Sequence, residues 1–556
     1  MNLLSNRFVA LGSTALLGAG GAGALLLAGS TAASANVPLS VTNLDDSGPG
    51  SLRQALLDAN TAPGQDVITF ASGVSGTISL LSNFPVLTEG VDIQGPGASV
   101  LTVDGGWTSA GGPSSGHVIF ELNDAPRSVA PWVISGLTIT GGNNSAGGGA
   151  FYVYNNLDNP VDIHDVEISN NFSVSGGGGV KLLGSGNVSF ANTTISGNES
   201  GNGGGGLYSD TEDHSTLTIT NSLITQNVAG TDGGGLYFDT DGGNVTIVGS
   251  TITNNTAHDD GGAVMVNNLY TEGSLTITDT VISGNHADRN GGAFYSDTDD
   301  GSIFITDSTI SNNTADGAGG GFYISSTGLG EIVIANTTIS GNESTLGAGA
   351  MQLLSGSKMT LLQSTVTNNT GGGATVVGGI AIEADDLTLV GSIVAGNPGF
   401  DIGDGTALEL KSVTSQHTKD KGSETPKNRP ALTPSLIPPP VSAAAEYSVI
   451  GEVDPAVTIV DGGGNKLGVA DPKLGPLANN GGPTMTHALL AGSPAINAGP
   501  NPVPTFTGNQ FDQRGTGFAR IVGDLVDIGA FEVQPEPPAT TTTAGTDEPV
   551  APAFTG

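Results

Sequence analysis

Two rows of side chains in the middle of the chain could bind a ligand. Four tyrosines are spaced by 29, 58 and 28 residues, and an aspartate stands two positions after three of them. Aromatic rings offer a broad apolar face with a polar tip, and carboxylates accept strong hydrogen bonds from hydroxyl groups. We therefore predict an outward stripe that contacts glycans, made of Tyr208, Tyr237, Tyr295, Tyr323, Asp210, Asp239 and Asp297.

The same residues have an explanation that needs no ligand. Tyrosines stacked on neighbouring strands stabilise a sheet, and aspartates are common where the chain turns. Both interpretations remain open at the level of the sequence.

A calcium site is a second hypothesis for this region. Aspartates cluster just after the predicted stripe, and hard carboxylate oxygens are the ligands that Ca²⁺ prefers. The candidate ligands are Asp239, Asp241, Asp297, Asp299 and Asp300. Solvated acidic turns are the alternative, and the same holds for a second acidic bend at Asp232, Asp259, Asp260, Asp288 and Asp316.

Catalysis on a polysaccharide is the competing function. Carboxylates one coil apart would lie about 5 Å from each other and those two coils apart about 10 Å, which brackets the separations used by retaining and inverting glycosidases. A lyase that acts on uronates needs cationic groups, and residues 141–402 contain only Lys181, Arg289 and Lys358. We therefore favour a non-catalytic protein and assign no catalytic residue, with a lyase or glycoside hydrolase as the alternative.

A repeated sequence motif predicts the strands and bends that position these residues. An aliphatic-x-x-Asn motif occurs nine times with 27 to 30 residues between successive asparagines. Period-2 alternation before each motif, as at Val245 and Ile247, predicts a strand with one buried face. Such a period indicates a β-solenoid with three short strands and three bends per coil. We predict an inward hydrogen-bonded row of Asn171, Asn198, Asn227, Asn255, Asn285, Asn313, Asn342, Asn369 and Asn397.

A short helix is predicted to cap the first coil. Ser51 and Gln54 have the spacing of a capping box. Leu52, Ala55, Leu56 and Ala59 share one helical face, which suits it to cover the open end of a solenoid.

Composition limits the partners and the compartment. There are 15 Lys and Arg against 52 Asp and Glu, a net charge of −37, which argues against nucleic acid. There is no cysteine, so disulfides and thiolate chemistry are excluded. Arg7, the apolar run that follows it and Ala33-Ser34-Ala35 predict a secretory signal, and no later stretch predicts a membrane span. We expect a monomer.

The predicted organisation has six parts. They are a signal peptide at 1–35, a cap with irregular coils at 36–140, regular coils at 141–402, a flexible insertion at 403–445, a C-terminal domain at 446–533 and a Pro/Thr-rich disordered tail at 534–556.

The motifs resemble two families. The coils are similar to polymorphic outer membrane protein repeats, through Gly262-Ala263-Val264 and Gly292-Ala293-Phe294 and through the nine asparagine motifs. Residues 471–532 resemble the choice-of-anchor Q domain, through Asn480-Gly481-Gly482-Pro483, Asp512-Gln513-Arg514-Gly515 and Asp527-Ile528-Gly529-Ala530-Phe531-Glu532. The resemblance implies a bacterial secreted or surface protein with no defined catalytic set. From the repeat we predict a right-handed parallel β-helix of the pectate-lyase-like class, with the handedness expected for such solenoids, and we favour an adhesin or a rigid spacer.

Overall fold

The computed structural model describes residues 38–535, apart from 62–63, 113–115, 124–129, 156–158, 185, 212–214, 241, 268, 270–272, 299, 327–329, 355, 357, 374–375, 384–386 and 408–440. The predicted signal peptide, residues 408–440 of the predicted insertion and residues 536–556 of the predicted tail therefore lie outside the described residues. Two of the predicted calcium ligands, Asp241 and Asp299, also lie outside them.

Within the described residues, successive coils pair through parallel strands, and each sheet collects at most one strand from each coil. The first sheet has 15 strands: Leu39–Val41, Asp66–Phe70, Val91–Gln94, Trp132–Ser135, Val161–His164, Val188–Ala191, Thr216–Thr220, Asn244–Val248, Ser274–Thr278, Ser302–Thr306, Ile332–Ala335, Met359–Leu362, Leu387–Val390, Val441–Glu446 and Val457–Asp461. The second has 14: Gly76–Ser79, Leu101–Asp104, Thr138–Thr140, Glu167–Ser169, Thr194–Ser196, Leu223–Thr225, Thr251–Thr253, Val281–Ser283, Thr309–Ser311, Thr338–Ser340, Thr365–Thr367, Ile393–Val394, Val449–Ile450 and Lys466–Leu467.

A third sheet completes the three that the sequence predicts, and the structure has a fourth that the sequence analysis did not predict. The third sheet has 11 strands: Phe120–Asn123, Phe151–Asn155, Val180–Gly184, Leu207–Thr211, Leu236–Thr240, Val264–Asn267, Phe294–Thr298, Phe322–Ser326, Met351–Leu353, Val377–Ile382 and Phe400–Asp404. The fourth has eight two-residue strands: Asn143–Asn144, Phe172–Ser173, Glu199–Ser200, Val228–Ala229, Thr256–Ala257, His286–Ala287, Thr314–Ala315 and Glu343–Ser344. The all-β parallel solenoid is confirmed, but its regular coils carry a short strand between the predicted second and third ones.

The nine repeat asparagines lie inside the solenoid as one row. From Asn171 to Asn369, each backbone N–H and each side-chain Nδ2 donates to Oδ1 of the next asparagine, over 2.9–3.0 Å. Asn397 ends the row by donating to Asp401. Apolar residues of the strands fill the rest of the interior, for example Val245, Ile247 and Ile252.

The predicted capping helix is confirmed at Leu52–Ala59, and its four predicted apolar residues are buried. Oγ of Ser51 accepts from the backbone N–H of Gln54, but the Gln54 side chain donates to Asp58 instead of returning to Ser51. Only half of the predicted capping box therefore forms. No helix in the described part of the chain is long and apolar enough to cross a bilayer.

The C-terminal boundaries differ from the predicted ones. Strands Phe400–Asp404 and Val441–Glu446 occupy both ends of the predicted 403–445 insertion, and the second pairs with Leu387–Val390 of the solenoid. The coils continue to Lys466–Leu467. The chain then leaves them and packs on the outer face of the second sheet, where Leu474–Ala478 and Thr486–Leu489 form an antiparallel pair. The side chain of Gln513, for example, hydrogen-bonds Ser308 and Thr338.

Candidate functional site

The tyrosine stripe (Tyr208, Tyr237, Tyr295 and Tyr323) lies on the third sheet in the expected register. Tyr208 pairs with Tyr237, and Tyr295 pairs with Tyr323. The rings of the first pair stack with centroids 4.8 Å apart, and those of the second pair lie 5.1 Å apart. Met265 separates the pairs, because it holds the tyrosine position on the coil between Tyr237 and Tyr295. The stripe is thus two stacked pairs instead of one continuous row.

The stripe is less exposed than the alternation of the strand predicts. Tyr237 and Tyr323 are each only 8% exposed, while Tyr208 and Tyr295 are half-buried. For Tyr237, glycine at the bend of the preceding coil allows this, since a Cβ at Gly203 would lie 2.8 Å from Cδ2 of the ring. The prediction of a freely outward stripe is corrected to one in which only the first ring of each pair is partly accessible.

Burial also fixes the charge state of the rings. It raises the pKa of Tyr237, Tyr295 and Tyr323 above its ordinary value of 10, and nearby carboxylates such as Asp239 and Asp260 raise it further. The hydroxyls are therefore neutral in ordinary buffers and can serve as hydrogen-bonding groups.

The predicted carboxylate row has the expected register. Asp210 pairs with Asp239, and Asn267 stands between Asp239 and Asp297. Asp210 and Asp297 are half-buried, whereas Asp239 is buried. Because an amide interrupts the row and two candidate ligands are not described, the calcium site at Asp239, Asp241, Asp297, Asp299 and Asp300 stays a prediction.

A tighter acidic group occupies the bend before the third sheet. We call Asp232, Asp259 and Asp260 the aspartate cluster; one carboxylate oxygen from each lies within 4.8 Å of the others. Asp232 and Asp260 hold the same position on adjacent coils, five residues after the repeat asparagine. The backbone N–H of Asp260 donates to Oδ1 of Asp232 over 3.1 Å, and Asn290 on the following coil donates twice to Oδ1 of Asp260.

The electrostatics of the aspartate cluster are unusual. Asp260 is fully buried, and burial raises its pKa to about 7, while Arg289 opposes the shift and Asp259 and Asp232 add to it. Nη1 of Arg289 hydrogen-bonds Asp259 and lies 3.6 Å from Oδ2 of Asp260, an oxygen with no hydrogen-bond partner among the described residues. Burial lowers the pKa of Arg289, but the Asp260 and Asp259 carboxylates outweigh that effect and raise it.

This arrangement allows two kinds of chemistry. A carboxyl that titrates near neutrality beside an ionised one is the pair that a glycosidase needs. A proton donor must also reach its substrate. Asp260 is fully buried and its Oδ1 accepts a hydrogen bond from Asn290, so this structure does not favour Asp260 as a catalytic acid. The hydrogen bonds across three coils instead make Asp232, Asp260 and Asn290 a second side-chain row that ties adjacent bends together. The sequence could have predicted this row, because each of its three residues stands five positions after a repeat asparagine.

The comparisons with known proteins concern the fold. The family described as "Right handed beta helix region" matches residues 149–328 and 268–422. Among solved structures, a crystal structure of pectate lyase Pel9A is similar with 14% identity and a TM-score of 0.32, covering 90% of this chain and 97% of that one. No curated protein matches the sequence.

The family match and the register of the paired strands agree on the architecture. The described residues between 149 and 407 form a right-handed parallel β-helix, and strands of the same sheets continue on both sides of that range.

Proposed function

We propose that this chain is a secreted or cell-surface bacterial β-helix protein without catalytic activity, in which the solenoid serves as a rigid spacer and the third sheet contacts glycans. The signal-like N-terminus and the resemblance to polymorphic outer membrane protein repeats and the choice-of-anchor Q domain support the location and the adhesin-like role.

One observation carries the glycan proposal. Each stacked tyrosine pair has one half-buried ring, Tyr208 or Tyr295, with a half-buried aspartate, Asp210 or Asp297, two residues further along the same strand. Side chains two residues apart on a strand face the same way and lie about 7 Å from each other. A ring edge and a carboxylate at that distance match the apolar face and the hydroxyl groups of one sugar residue.

The net negative charge of the chain favours neutral glycans over acidic ones as ligands. With a net charge of −37, the surface repels polyuronates and other acidic polymers unless a divalent cation bridges them. We therefore expect neutral glycans to bind without calcium and acidic ones only in its presence.

A glycan array tests this, run on the full chain with and without Ca²⁺. The variant that reports on the proposal is Tyr208→Ala/Tyr295→Ala, because these are the accessible rings; Tyr237 is buried, so its removal would also disturb packing. Phe304→Ala is the matched control, since it removes a half-buried ring from the outer face of the first sheet. Binding that is lost in the tyrosine variant and kept in the control supports the proposal, and equal binding by all three proteins contradicts it.

A glycoside hydrolase is the second candidate, because Asp260 has a pKa near 7 and lies within 4.8 Å of Asp232. That separation is close to the spacing of about 5 Å in retaining enzymes. New reducing ends from a polysaccharide, formed by the wild type and not by Asp260→Asn, would establish this alternative and displace the non-catalytic one.

A further inference from the structure

A second group of ligand-type side chains lies on the outer edge of the solenoid, where the fourth sheet ends. We call His258, His286, Asp288 and Asp316 the His–Asp cluster. His258, Asp288 and Asp316 occupy the same position on three consecutive coils, three residues after the repeat asparagine, and His286 lies two residues before Asp288. The backbone fixes this stacking, because the N–H of Asp288 donates to Ala257 and that of Asp316 donates to Ala287, one coil back.

The side chains of the cluster turn towards one carboxylate. Nδ1 of His258 lies 2.9 Å from Oδ2 of Asp288, and Nε2 of His286 lies 3.1 Å from its Oδ1. Single ligand atoms of His286, Asp288 and Asp316 all lie within 4.8 Å of one another. Two imidazoles and two carboxylates thus converge from three coils.

We propose that the His–Asp cluster binds a divalent transition-metal ion of the zinc class, with His286, Asp288 and Asp316 as ligands and His258 as the fourth. Imidazole nitrogen and carboxylate oxygen are ligands that Zn²⁺ takes at about 2.0–2.2 Å. Tetrahedral ligands at that distance are roughly 3.4 Å apart. The side chains of Asp288 and Asp316 are exposed, so small side-chain rotations can close the observed spacing.

The local charge favours a divalent cation. Two carboxylates with two neutral imidazoles carry a charge of −2, which a divalent cation neutralises. The adjacent cation, Arg289, is turned to the other side of the bend, where it pairs with Asp259 and Asp260. Ca²⁺ is disfavoured here because it prefers oxygen ligands throughout.

A histidine–aspartate contact alone does not make such a site, and the chain contains a control for that. His164 lies 2.9 Å from Asp165, at the same distance as His258 from Asp288. Of these two contacts within the described residues, only the one at His258 shares its aspartate with a converging group of three ligands, which is His286, Asp288 and Asp316. His164→Ala therefore removes a histidine–aspartate contact without touching the proposed ligands.

The test is a zinc titration of the metal-stripped full chain in competition with a chromophoric chelator, using wild type, His286→Ala, Asp316→Asn and His164→Ala. We expect His164→Ala to bind zinc as the wild type does, and His286→Ala and Asp316→Asn to bind at least tenfold more weakly. Co²⁺ should give the wild type, and not His286→Ala, the intense visible bands of a tetrahedral site. Circular dichroism checks the folding of each variant. Because Asp316→Asn changes an exposed side chain, it still tests the proposal if His286→Ala misfolds. No binding by the wild type, or equal affinities in all four proteins, overturns the proposal.

Discussion

Nδ2 of Asn255 donates a hydrogen bond to Oδ1 of Asn285 on the next coil over 2.9 Å, deep inside the solenoid. The same oxygen accepts from the backbone N–H of Asn255, and Nδ2 of Asn285 donates to the carbonyl of Ile252 and to Asn313. The Asn285 side chain therefore satisfies buried polar groups on both neighbouring coils. If it were removed, those groups would be left without a partner, because water cannot reach them.

We predict that Asn285→Ala lowers the free energy of unfolding by about 3 kcal/mol, because it leaves the Asn255 donors without an acceptor. Denaturant titration measures the change. Asn187→Ala is the control, since Asn187 is exposed and its removal should cost less than about 0.5 kcal/mol. Similar losses in the two variants would show that the row contributes little.

The adjacent glycines Gly234 and Gly235 should differ strongly in how well they tolerate substitution by alanine. A Cβ at Gly234 would collide with the backbone carbonyl of Gly262, and that position is glycine in nine consecutive coils, from Gly149 to Gly378. The position of Gly235 is alanine in four of the other coils, at Ala150, Ala263, Ala293 and Ala350. We predict that Gly234→Ala prevents folding of the protein, whereas Gly235→Ala lowers the thermal midpoint by only a few degrees. Yields of soluble protein and melting curves compare the two, and equal behaviour would contradict the steric explanation.

These cases show what the sequence could and could not predict. The asparagine row follows from the period, because equal spacing places equivalent residues in contact on neighbouring coils. The exposure of Tyr237 does not follow from alternation, since it depends on a ring folding over Gly203 of the preceding coil. Likewise, nothing local to Arg520 indicates that it is fully buried and bonded to Asn336, which is 184 residues away in the chain.

Stability should depend on pH in an unusual direction. Burial raises the pKa of Asp260 and Asp307 to about 7 and that of Glu532 to about 8, so all three bind their protons more tightly in the folded chain. The stabilisation from those protons is complete below the ordinary carboxyl pKa of about 4 and is lost as the pH rises through 7 to 8. From these three groups we predict that the free energy of unfolding falls between pH 5 and pH 9, as denaturant titrations across that range will show.

The contribution of Asp260 can be separated from the others. Asp260→Asn keeps an oxygen that accepts from Asn290 and carries no charge. We predict a shallower decline above pH 5 and a gain of about 1–3 kcal/mol at pH 8, with Glu199→Gln as an exposed control that changes neither. A variant that declines as steeply as the wild type would show that Asp260 is not the titrating group.

The C-terminal segment is held by an arginine that a lysine cannot replace. Arg514 forms a forked pair with Asp512, donates to the carbonyl of Glu532, and lies between the rings of Phe518 and Phe531 at 4.0 and 3.8 Å from their centroids. A lysine keeps the charge but loses the planar stacking and the paired hydrogen bonds, at a cost of about 2 kcal/mol.

We therefore predict that Arg514→Lys opens this segment locally while the coils stay folded. The backbone N–H of Glu532 donates to Oδ2 of Asp512, so its hydrogen exchange reports on the opening and should speed up roughly 30-fold. Exchange at Ile247, in the interior of the coils, should not change. Arg289→Lys alters a different arginine–aspartate pair and should leave the Glu532 amide as slow as in the wild type. Unchanged exchange at Glu532 in Arg514→Lys would mean that the apolar contacts with the second sheet hold the segment without the arginine.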